Sequence, residues 1–307
     1  MARSSRTTTS PEEAPVELPR LRRGLRRWYR ANGRHDLPWR LTRDPYAVLV
    51  SEVMLQQTQV ERVRSRYEAW LARWPTAASL AEAPAAAVIR EWSGLGYNRR
   101  AVNLQRAARE ALERFGRIPL DEAKLRSLPG VGPYTAAAVA CFAGGRRTAA
   151  LDTNVARVVA RALLGEGRAK APYGVELREA AEAWLPARGA RAHQLAVMDL
   201  GATVCKASSP ACEVCPLARG CAWLAAGQPE SRPAVPKGTA VPFESTARFA
   251  RGRIVAMLAE GLRLTADEVA ARLPEEHRAA CEGYLEALAR DGSVASREGR
   301  WGLAEDR

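Results

Sequence analysis

The segment Leu125-Arg-Ser-Leu-Pro-Gly-Val-Gly-Pro-Tyr-Thr135 decides the fold of this chain, because it breaks two helical patterns with a short Gly/Pro turn. Gly130 can adopt the positive φ that ends a helix, and Pro133 suits the first turn of the next one. The backbone N–H groups of Val131 and Gly132 are then expected to point outward at a helix N-terminus, where a phosphate can approach. The segment therefore predicts two helices joined by an anion-binding turn.

The rest of the chain consists of successive helical patterns, with almost no strand pattern before residue 290. Asp44 followed by Pro45 predicts a helix start, since an aspartate N-cap and a proline at the first position both favour one. Apolar residues from Val60 to Trp70 recur at spacings of three and four and predict the next helix. Further helices are predicted at 78–92, 99–115, 121–127, 133–143, 154–164, 175–185 and 190–204. The fold class is therefore all-α.

Two carboxylates stand out, although neither has a clear role from its local pattern. Asp152 directly precedes an apolar helix, and that position alone predicts an N-cap. Glu52 lies inside a predominantly apolar helix, where it belongs either to the solvent edge or to a cleft. Helical periodicity alone favours the solvent-facing position for Glu52.

Composition favours a polyanionic partner, most simply nucleic acid, because the net charge is +13 and the pI is about 10.1. The charge is almost all arginine, so a coding bias towards arginine is an alternative interpretation. No apolar run approaches the roughly 20 residues of a membrane span, and the N-terminus lacks the apolar core of a secretory signal. We therefore expect a cytoplasmic, nucleoid-associated protein.

Four of the six cysteines crowd into one stretch, with the spacing Cys205-x6-Cys212-x2-Cys215-x5-Cys221. Such crowding in a cytoplasmic chain indicates a metal site rather than disulfides. Four thiolates can hold zinc or an iron–sulfur cluster, and their chemistry alone leaves both open. The other two, Cys141 and Cys281, are predicted to be buried thiols.

Several motifs together resemble the MutY-type adenine DNA glycosylases. The motifs are LPWR at Leu37–Arg40, SEVMLQQTQV at Ser51–Val60, GLGY at Gly94–Tyr97 and LPGVGPYTA at Leu128–Ala136. The turn around Gly130 resembles the helix-hairpin-helix motif, and its spacing to Asp152 is that of a large superfamily of base-excision glycosylases. This resemblance covers about residues 18–225. It implies a two-lobed helix-hairpin-helix fold, with a [4Fe-4S] cluster held by the four crowded cysteines.

The resemblance also implies a mechanism for this chain. Glu52 would be the general acid that protonates N7 of adenine, and Asp152 would stabilise the sugar cation, as in two-carboxylate glycoside hydrolysis. Asn154 and Tyr134 would orient the water and the acid. Bifunctional relatives carry a lysine at the position of Tyr134, and a tyrosine cannot form their Schiff base. We therefore expect a monofunctional glycosylase.

DNA contacts are implied for a further set of residues, since adenine must be flipped out of the duplex to reach the active site. Gln57 and Tyr97 would wedge into the base stack. The phosphate would be held at the hairpin. The full set of implied DNA-binding residues is Gln56, Gln57, Tyr97, Gly130, Val131 and Gly132. The expected partner is double-stranded DNA with a mismatched or oxidised base pair, bound by a monomer.

The sequence predicts a domain order around this core. A disordered tail at 1–17 precedes a cluster lobe at 18–36 plus 148–225 and a helical lobe at 37–147. A Pro/Gly-rich linker at 226–245 leads to a C-terminal module at 246–307. Relatives often carry a larger C-terminal domain that resembles a nucleotide hydrolase and recognises 8-oxoguanine. Here short helices and a possible hairpin predict a winged-helix-like module instead, which leaves 8-oxoguanine recognition open.

Other functions remain open at this stage. A thymine or uracil mismatch glycosylase shares the hairpin, the aspartate and the cluster, and can carry tyrosine at the position of Tyr134. The motif SEVMLQQTQV favours adenine, opposite 8-oxoguanine or guanine. A non-catalytic DNA-binding module is disfavoured by the presence of both Glu52 and Asp152.

Overall fold

The computed structural model describes residues 17–229 and 241–305, and these parts are predominantly helical. The predicted tail falls outside the described residues except for Glu17, and so does the middle of the predicted linker. The helices are α1 Leu18–Asn32, α2 Pro38–Leu41, α3 Pro45–Leu55, α4 Val60–Arg73, α5 Ala77–Glu82, α6 Ala85–Trp92, α7 Arg99–Phe115, α8 Glu122–Arg126, α9 Pro133–Phe142, α10 Thr153–Leu164, α11 Val175–Trp184, α12 Ala190–Thr203, α13 Ala222–Ala225, α14 Ala247–Ala259, α15 Ala266–Ala271, α16 Glu275–Arg278 and α17 Cys281–Arg290. In the described part of the chain, strands occur only as β1 Val294–Arg297 and β2 Arg300–Leu303.

The chain divides into two compact units. Of the described residues, the first unit contains 17–33, 151–186 and 192–229, and the second contains 34–150, 187–191 and 241–305. Within the first unit, α1 packs against the cysteine-rich segment. The approach is so close at Gly24 that a Cβ there would lie 2.7 Å from the carbonyl oxygen of Pro216. Glycine is therefore required where this helix meets the segment that carries the cysteines.

The second unit is built around α3, which is buried almost throughout because α4, α7 and α9 surround it. Asp44 caps this helix by accepting from the backbone N–H groups of Tyr46 and Ala47, as its Asp-Pro start predicts. Three indole rings fill the neighbouring core, where Trp70 contacts both Trp74 and Trp92 edge to face. This packing fixes the helix that carries Glu52.

One predicted helix is divided in two. The expected helix at 78–92 is broken by Ala83 and Pro84 into α5 and α6. Proline has no backbone N–H and disfavours helical geometry in the residue before it, so the apolar pattern continues while the helix does not. Gln105 on α7 donates from its side chain to the carbonyls of Leu80 and Ala83 at this break.

The C-terminal module combines α14 to α17 with the β1–β2 hairpin. Thr265 begins α15 with a reciprocal capping box. Val294 pairs with Leu303 in the antiparallel hairpin, and Leu264 forms a bridge to Trp301. The module's apolar core is shared with α6 and α7. Its members are Ile89, Val102, Ile254, Val255, Leu258, Leu264, Val269, Leu273, Cys281, Leu285, Leu288, Val294 and Leu303.

Across residues 17–229 and 241–305, no helix combines the length and the apolar character that crossing a membrane requires.

Candidate functional site

Glu52 is a buried carboxyl, with only 6% of its surface exposed. The solvent-facing position that periodicity favours is therefore wrong, because α3 is covered on nearly every side. The hydroxyl of Tyr134, in the first turn of α9, donates to Glu52 Oε2 at 2.8 Å. The helix that follows the hairpin thus supplies a direct partner to the predicted acid, and a buried carboxyl held in this way is suited to proton transfer.

Asp152 is the N-cap of α10, as its position predicts, but its carboxylate has further contacts. Oδ1 accepts from the backbone N–H of Val155 at 2.7 Å, and Oδ2 accepts from the side-chain amide of Asn154 at 3.0 Å. Arg157 Nη2 in turn donates to Asn154 Oδ1 at 2.8 Å, which fixes the orientation of that amide. Burial raises the pKa of Asp152 above its ordinary value, while the two donated hydrogen bonds oppose this shift.

Arg100 is a site residue that sequence reasoning missed. The four N–H groups of its Nη1 and Nη2 are shared among six acceptors, which join the end of α3 to the 94–97 loop. The acceptors are the carbonyls of Val53, Met54, Gln56, Leu95 and Gly96 and the hydroxyl of Thr58. The guanidinium carbon lies 5.1 Å from the Trp92 ring centroid. Burial lowers the pKa of Arg100 to about 10, so it remains charged at neutral pH. A single side chain therefore holds two loops in register.

Each of these two loops carries an exposed residue with unusual backbone geometry. Gln57 has φ +56° and Tyr97 has φ +49°, although neither is glycine. Such conformations cost about 1–3 kcal/mol and occur where the surrounding structure imposes them. Both residues are the ones expected to wedge into the base stack. The adjacent Gln56 is half-buried, and its amide donates to Thr135 Oγ1 at 3.3 Å.

The hairpin has the geometry that its glycines predict, with one exception. Gly130 has φ +73°, and a Cβ there would lie 2.8 Å from Asn103 Cβ, so only glycine fits. Gly132 is exposed, and a Cβ there would meet no heavy atom within 4 Å. The Val131 N–H, expected to point outward, instead donates to the Leu128 carbonyl at 3.2 Å, because this bond closes the turn. The side chain of Val131 is buried as well.

The four crowded cysteines line one small pocket, and none forms a disulfide. Within the described residues, no group of three His, Cys, Asp or Glu side chains could hold a single metal ion. Four thiols around one pocket supply the complete ligand set of an iron–sulfur cluster. Cys141 and Cys281 are buried elsewhere, as predicted.

Arg161 holds the cysteine segment in place and was also missed. It is 4% exposed and donates to Cys205 Sγ and to the carbonyls of Lys206 and Ala207. Its guanidinium carbon lies 4.4 Å from the Trp223 ring centroid. Donors to thiolate sulfur are among the groups that tune iron–sulfur clusters. A signal was present, because Arg161 occupies a position that the helical period of α10 assigns to the apolar face.

Two family profiles match the chain. The profile of the HhH-GPD superfamily of base excision DNA repair proteins matches residues 50–186. The profile of the iron–sulfur binding domain of endonuclease III matches residues 205–221, the segment that carries the four cysteines.

Curated relatives match over most of the chain. An adenine DNA glycosylase of Mycobacterium tuberculosis is 45% identical over 75% of this chain and 76% of its own length. One of Mycolicibacterium smegmatis is 40% identical over 90% of this chain and 94% of its own length. A thymine/uracil-DNA glycosylase of Pyrobaculum aerophilum is 37% identical over 66% of this chain and 90% of its own length.

Two solved structures share the fold. A thermostable thymine-DNA glycosylase aligns with a TM-score of 0.63 and 30% identity, covering 68% of this chain and 97% of the other. An endonuclease III bound non-covalently to DNA aligns with a TM-score of 0.56 and 23% identity, covering 68% of this chain and 96% of the other, which bears on the fold alone.

Proposed function

The chain belongs to the adenine DNA glycosylases of the HhH-GPD superfamily, and we propose that it hydrolyses the N-glycosidic bond of adenine paired with 8-oxoguanine or guanine. The hydrogen bond from Tyr134 to the buried Glu52 carries this proposal, because it supports a shielded, oriented acid inside the motif SEVMLQQTQV. As Glu52 protonates N7, the bond between C1′ and N9 breaks and its electron pair leaves with the base. Asp152 stabilises the resulting sugar cation until water adds to it.

Tyr134 supports a monofunctional reaction. A strand-cleaving relative needs an amine at this position for a Schiff base, whereas Tyr134 offers a phenol that is already bonded to Glu52. We propose that water is the nucleophile and that Asn154, held by Arg157, orients it beside Asp152.

DNA is the partner of this enzyme, and the excess positive charge supports binding through phosphates. The exposed Gly132 and the turn at Gly130 support a phosphate contact at the hairpin, whereas the N–H of Val131 is already bonded to the Leu128 carbonyl and does not support one. We propose that Gln57 and Tyr97 enter the base stack and that Gln56, anchored to Thr135, backs them. We further propose a nucleoid-associated, cytoplasmic monomer.

A second candidate is excision of thymine or uracil opposite guanine, favoured by the 37% identical thymine/uracil relative and the thymine-DNA glycosylase fold. One panel of duplexes carrying A:8-oxoG, A:G, T:G and U:G separates the two under single-turnover conditions. We expect adenine to be released from the A:8-oxoG and A:G duplexes, and no appreciable base release from the T:G and U:G duplexes. Preferential release of thymine or uracil would overturn the adenine assignment.

The chain binds an iron–sulfur cluster through Cys205, Cys212, Cys215 and Cys221. We expect the purified protein to contain four iron and four sulfide per chain and to show thiolate-to-iron absorption in the visible range. Cys215→Ser should remove this absorption, and Arg161→Ala should weaken cluster retention because the hydrogen bond to Cys205 is lost. Cys281→Ala, in the C-terminal module, is the control that keeps the cluster. A zinc-only protein would contradict the assignment.

The acidic side of the pH–rate profile is expected to depend on Asp152. The sugar cation needs the Asp152 anion, so the rate is retained above the pKa of Asp152 and lost as the pH falls through it. Burial raises that pKa, and the limb should lie at higher pH than an ordinary aspartate would give. Asn154→Ala removes a donor that favours the anion and should move the limb to still higher pH. Single-turnover rates measured from about pH 4, the ordinary pKa of an aspartate, up to about pH 8 test this. An unmoved limb would contradict it.

A further inference from the structure

A cluster of two aromatic rings and one arginine joins the C-terminal module to the 94–97 loop. Arg248 Nη1, in the first turn of α14, donates to the Tyr97 hydroxyl at 2.9 Å. The guanidinium carbon lies 5.5 Å from the Tyr97 ring centroid and 4.8 Å from that of Phe243. We call Tyr97, Phe243 and Arg248 the Tyr97 cluster. Both distances are within the range of a cation–π contact.

Both aromatic side chains of the Tyr97 cluster are exposed, although large aromatic side chains are mostly buried in folded proteins. Tyr97 is 41% exposed and Phe243 is 47% exposed. The positive φ of Tyr97 means that its backbone is held by its surroundings rather than by its own preference. Arg100 supplies that hold on the backbone side, through the carbonyls of Leu95 and Gly96, and its guanidinium carbon also lies 5.5 Å from the Tyr97 ring centroid. Arg248 adds a second guanidinium at the ring and donates to the Tyr97 hydroxyl.

The remainder of the C-terminal module is poorly suited to bind DNA by charge. Residues 246–305 contain nine Arg and ten Asp or Glu, so the module does not share the chain's positive excess. On α17, which would be the groove-reading helix of a winged helix, the exposed residues include Glu282, Glu286 and Arg290, and Arg290 pairs with Glu286 at 3.7 Å. The two carboxylates outnumber the one guanidinium, so this face does not attract the phosphate backbone. The contact at Tyr97 is therefore the stronger link between this module and the DNA.

We infer that Arg248 is a positioning residue for Tyr97, through which the C-terminal module contributes to adenine excision. The inference rests on the proposed wedge function of Tyr97. The ring must be presented at a defined angle to enter the base stack, and a mobile tyrosine would lose orientation that the reaction requires. Arg248 limits that motion before DNA arrives, by holding the hydroxyl and stacking between Tyr97 and Phe243.

A double-mutant cycle in the full-length, cluster-loaded protein tests this inference. Single-turnover excision from A:8-oxoG duplexes is measured for wild type, Arg248→Ala, Tyr97→Ala and the double variant. We expect Arg248→Ala to lower the rate about tenfold in the wild-type background. In the Tyr97→Ala background the same change should have no further effect, because the residue acts through the ring. Arg248→Lys, which keeps a donor and a charge, should recover part of the rate.

Two controls separate this role from simple docking of the module. Arg251→Ala removes a charge from the same helix, where the side chain bonds only its own helix at Ala247 among described contacts, and should keep the wild-type rate. Arg90→Ala removes a docking bond to Ala259 without touching Tyr97, and should change the melting temperature more than the rate. Equal effects of Arg248→Ala in both backgrounds would overturn the inference. Full activity of Tyr97→Ala would overturn it together with the wedge, while adenine excision itself is tested separately at Glu52.

Discussion

Replacing Glu52 with glutamine is expected to lower single-turnover adenine excision by about 10²–10⁴-fold while leaving DNA affinity almost unchanged. The amide has the same shape and its oxygen can still accept the hydrogen bond from Tyr134, so the packing of α3 should persist. It cannot deliver a proton to N7, and adenine is a poor leaving group without one. Rates and binding to A:8-oxoG duplexes are measured on the same preparation.

Two further variants make this result specific to the acid. Glu61→Gln changes an exposed carboxylate in the first turn of α4 and should leave the excision rate at the wild-type level. Tyr134→Phe removes only the hydroxyl that orients Glu52, and we expect a smaller loss, of about tenfold. Normal turnover by Glu52→Gln would show that another group protonates the base and would remove the basis of the proposed mechanism.

Local chemistry at the ends of helices was predictable from the sequence. Asp44 with Pro45 and Pro133 mark the starts of α3 and α9, and Gly130 takes the positive φ of the turn between α8 and α9, because caps and positive φ depend on a few neighbouring residues. The predicted helix at 78–92 is divided in two for an equally local reason. The apolar period runs through Pro84, and the period alone does not register the missing backbone N–H.

The burial of Glu52 was not predictable from periodicity. A helix surrounded on nearly all sides has no clear polar face, so an amphipathic pattern assigns its one carboxylate to solvent by default. Only the resemblance of the surrounding motif indicated a cleft. The inward N–H of Val131 is a similar case, since the turn's own hydrogen bond to Leu128 takes precedence over a prospective ligand.

The arginines were the larger omission. Their abundance has the alternative explanation of a coding bias, yet Arg100, Arg157 and Arg161 each donate to several backbone carbonyls within their own unit. A single sequence does not distinguish an arginine that binds a DNA phosphate from one that donates to a backbone carbonyl. Part of the basic composition therefore reflects internal support for the site rather than DNA binding, because a guanidinium offers five donors in a fixed plane.

Arg100→Ala is expected to lower the free energy of unfolding by about 4 kcal/mol and to lower excision further than that loss explains. The truncation leaves the carbonyls of Val53, Met54 and Gln56 without their donor and frees the 94–97 loop from α3. Gln57 and Tyr97, the two residues that we propose enter the base stack, then lose their common support. Urea unfolding measures the first effect, and single-turnover excision well below the melting temperature measures the second.

Two further variants show whether the geometry or the charge of Arg100 is responsible for its effect. Arg99→Ala removes an exposed guanidinium one residue earlier in α7 and should leave unfolding and excision near wild type. Arg100→Lys keeps the charge but offers three donors from one atom, which cannot span acceptors on both loops, so little activity should return. An Arg100→Lys variant that matches wild type would mean that charge near Tyr97 suffices. A stable but inactive Arg100→Ala variant would place the whole effect in the alignment of Gln57 and Tyr97. The fold would then be stable without the Arg100 hydrogen bonds, whereas the two loops would not keep their positions.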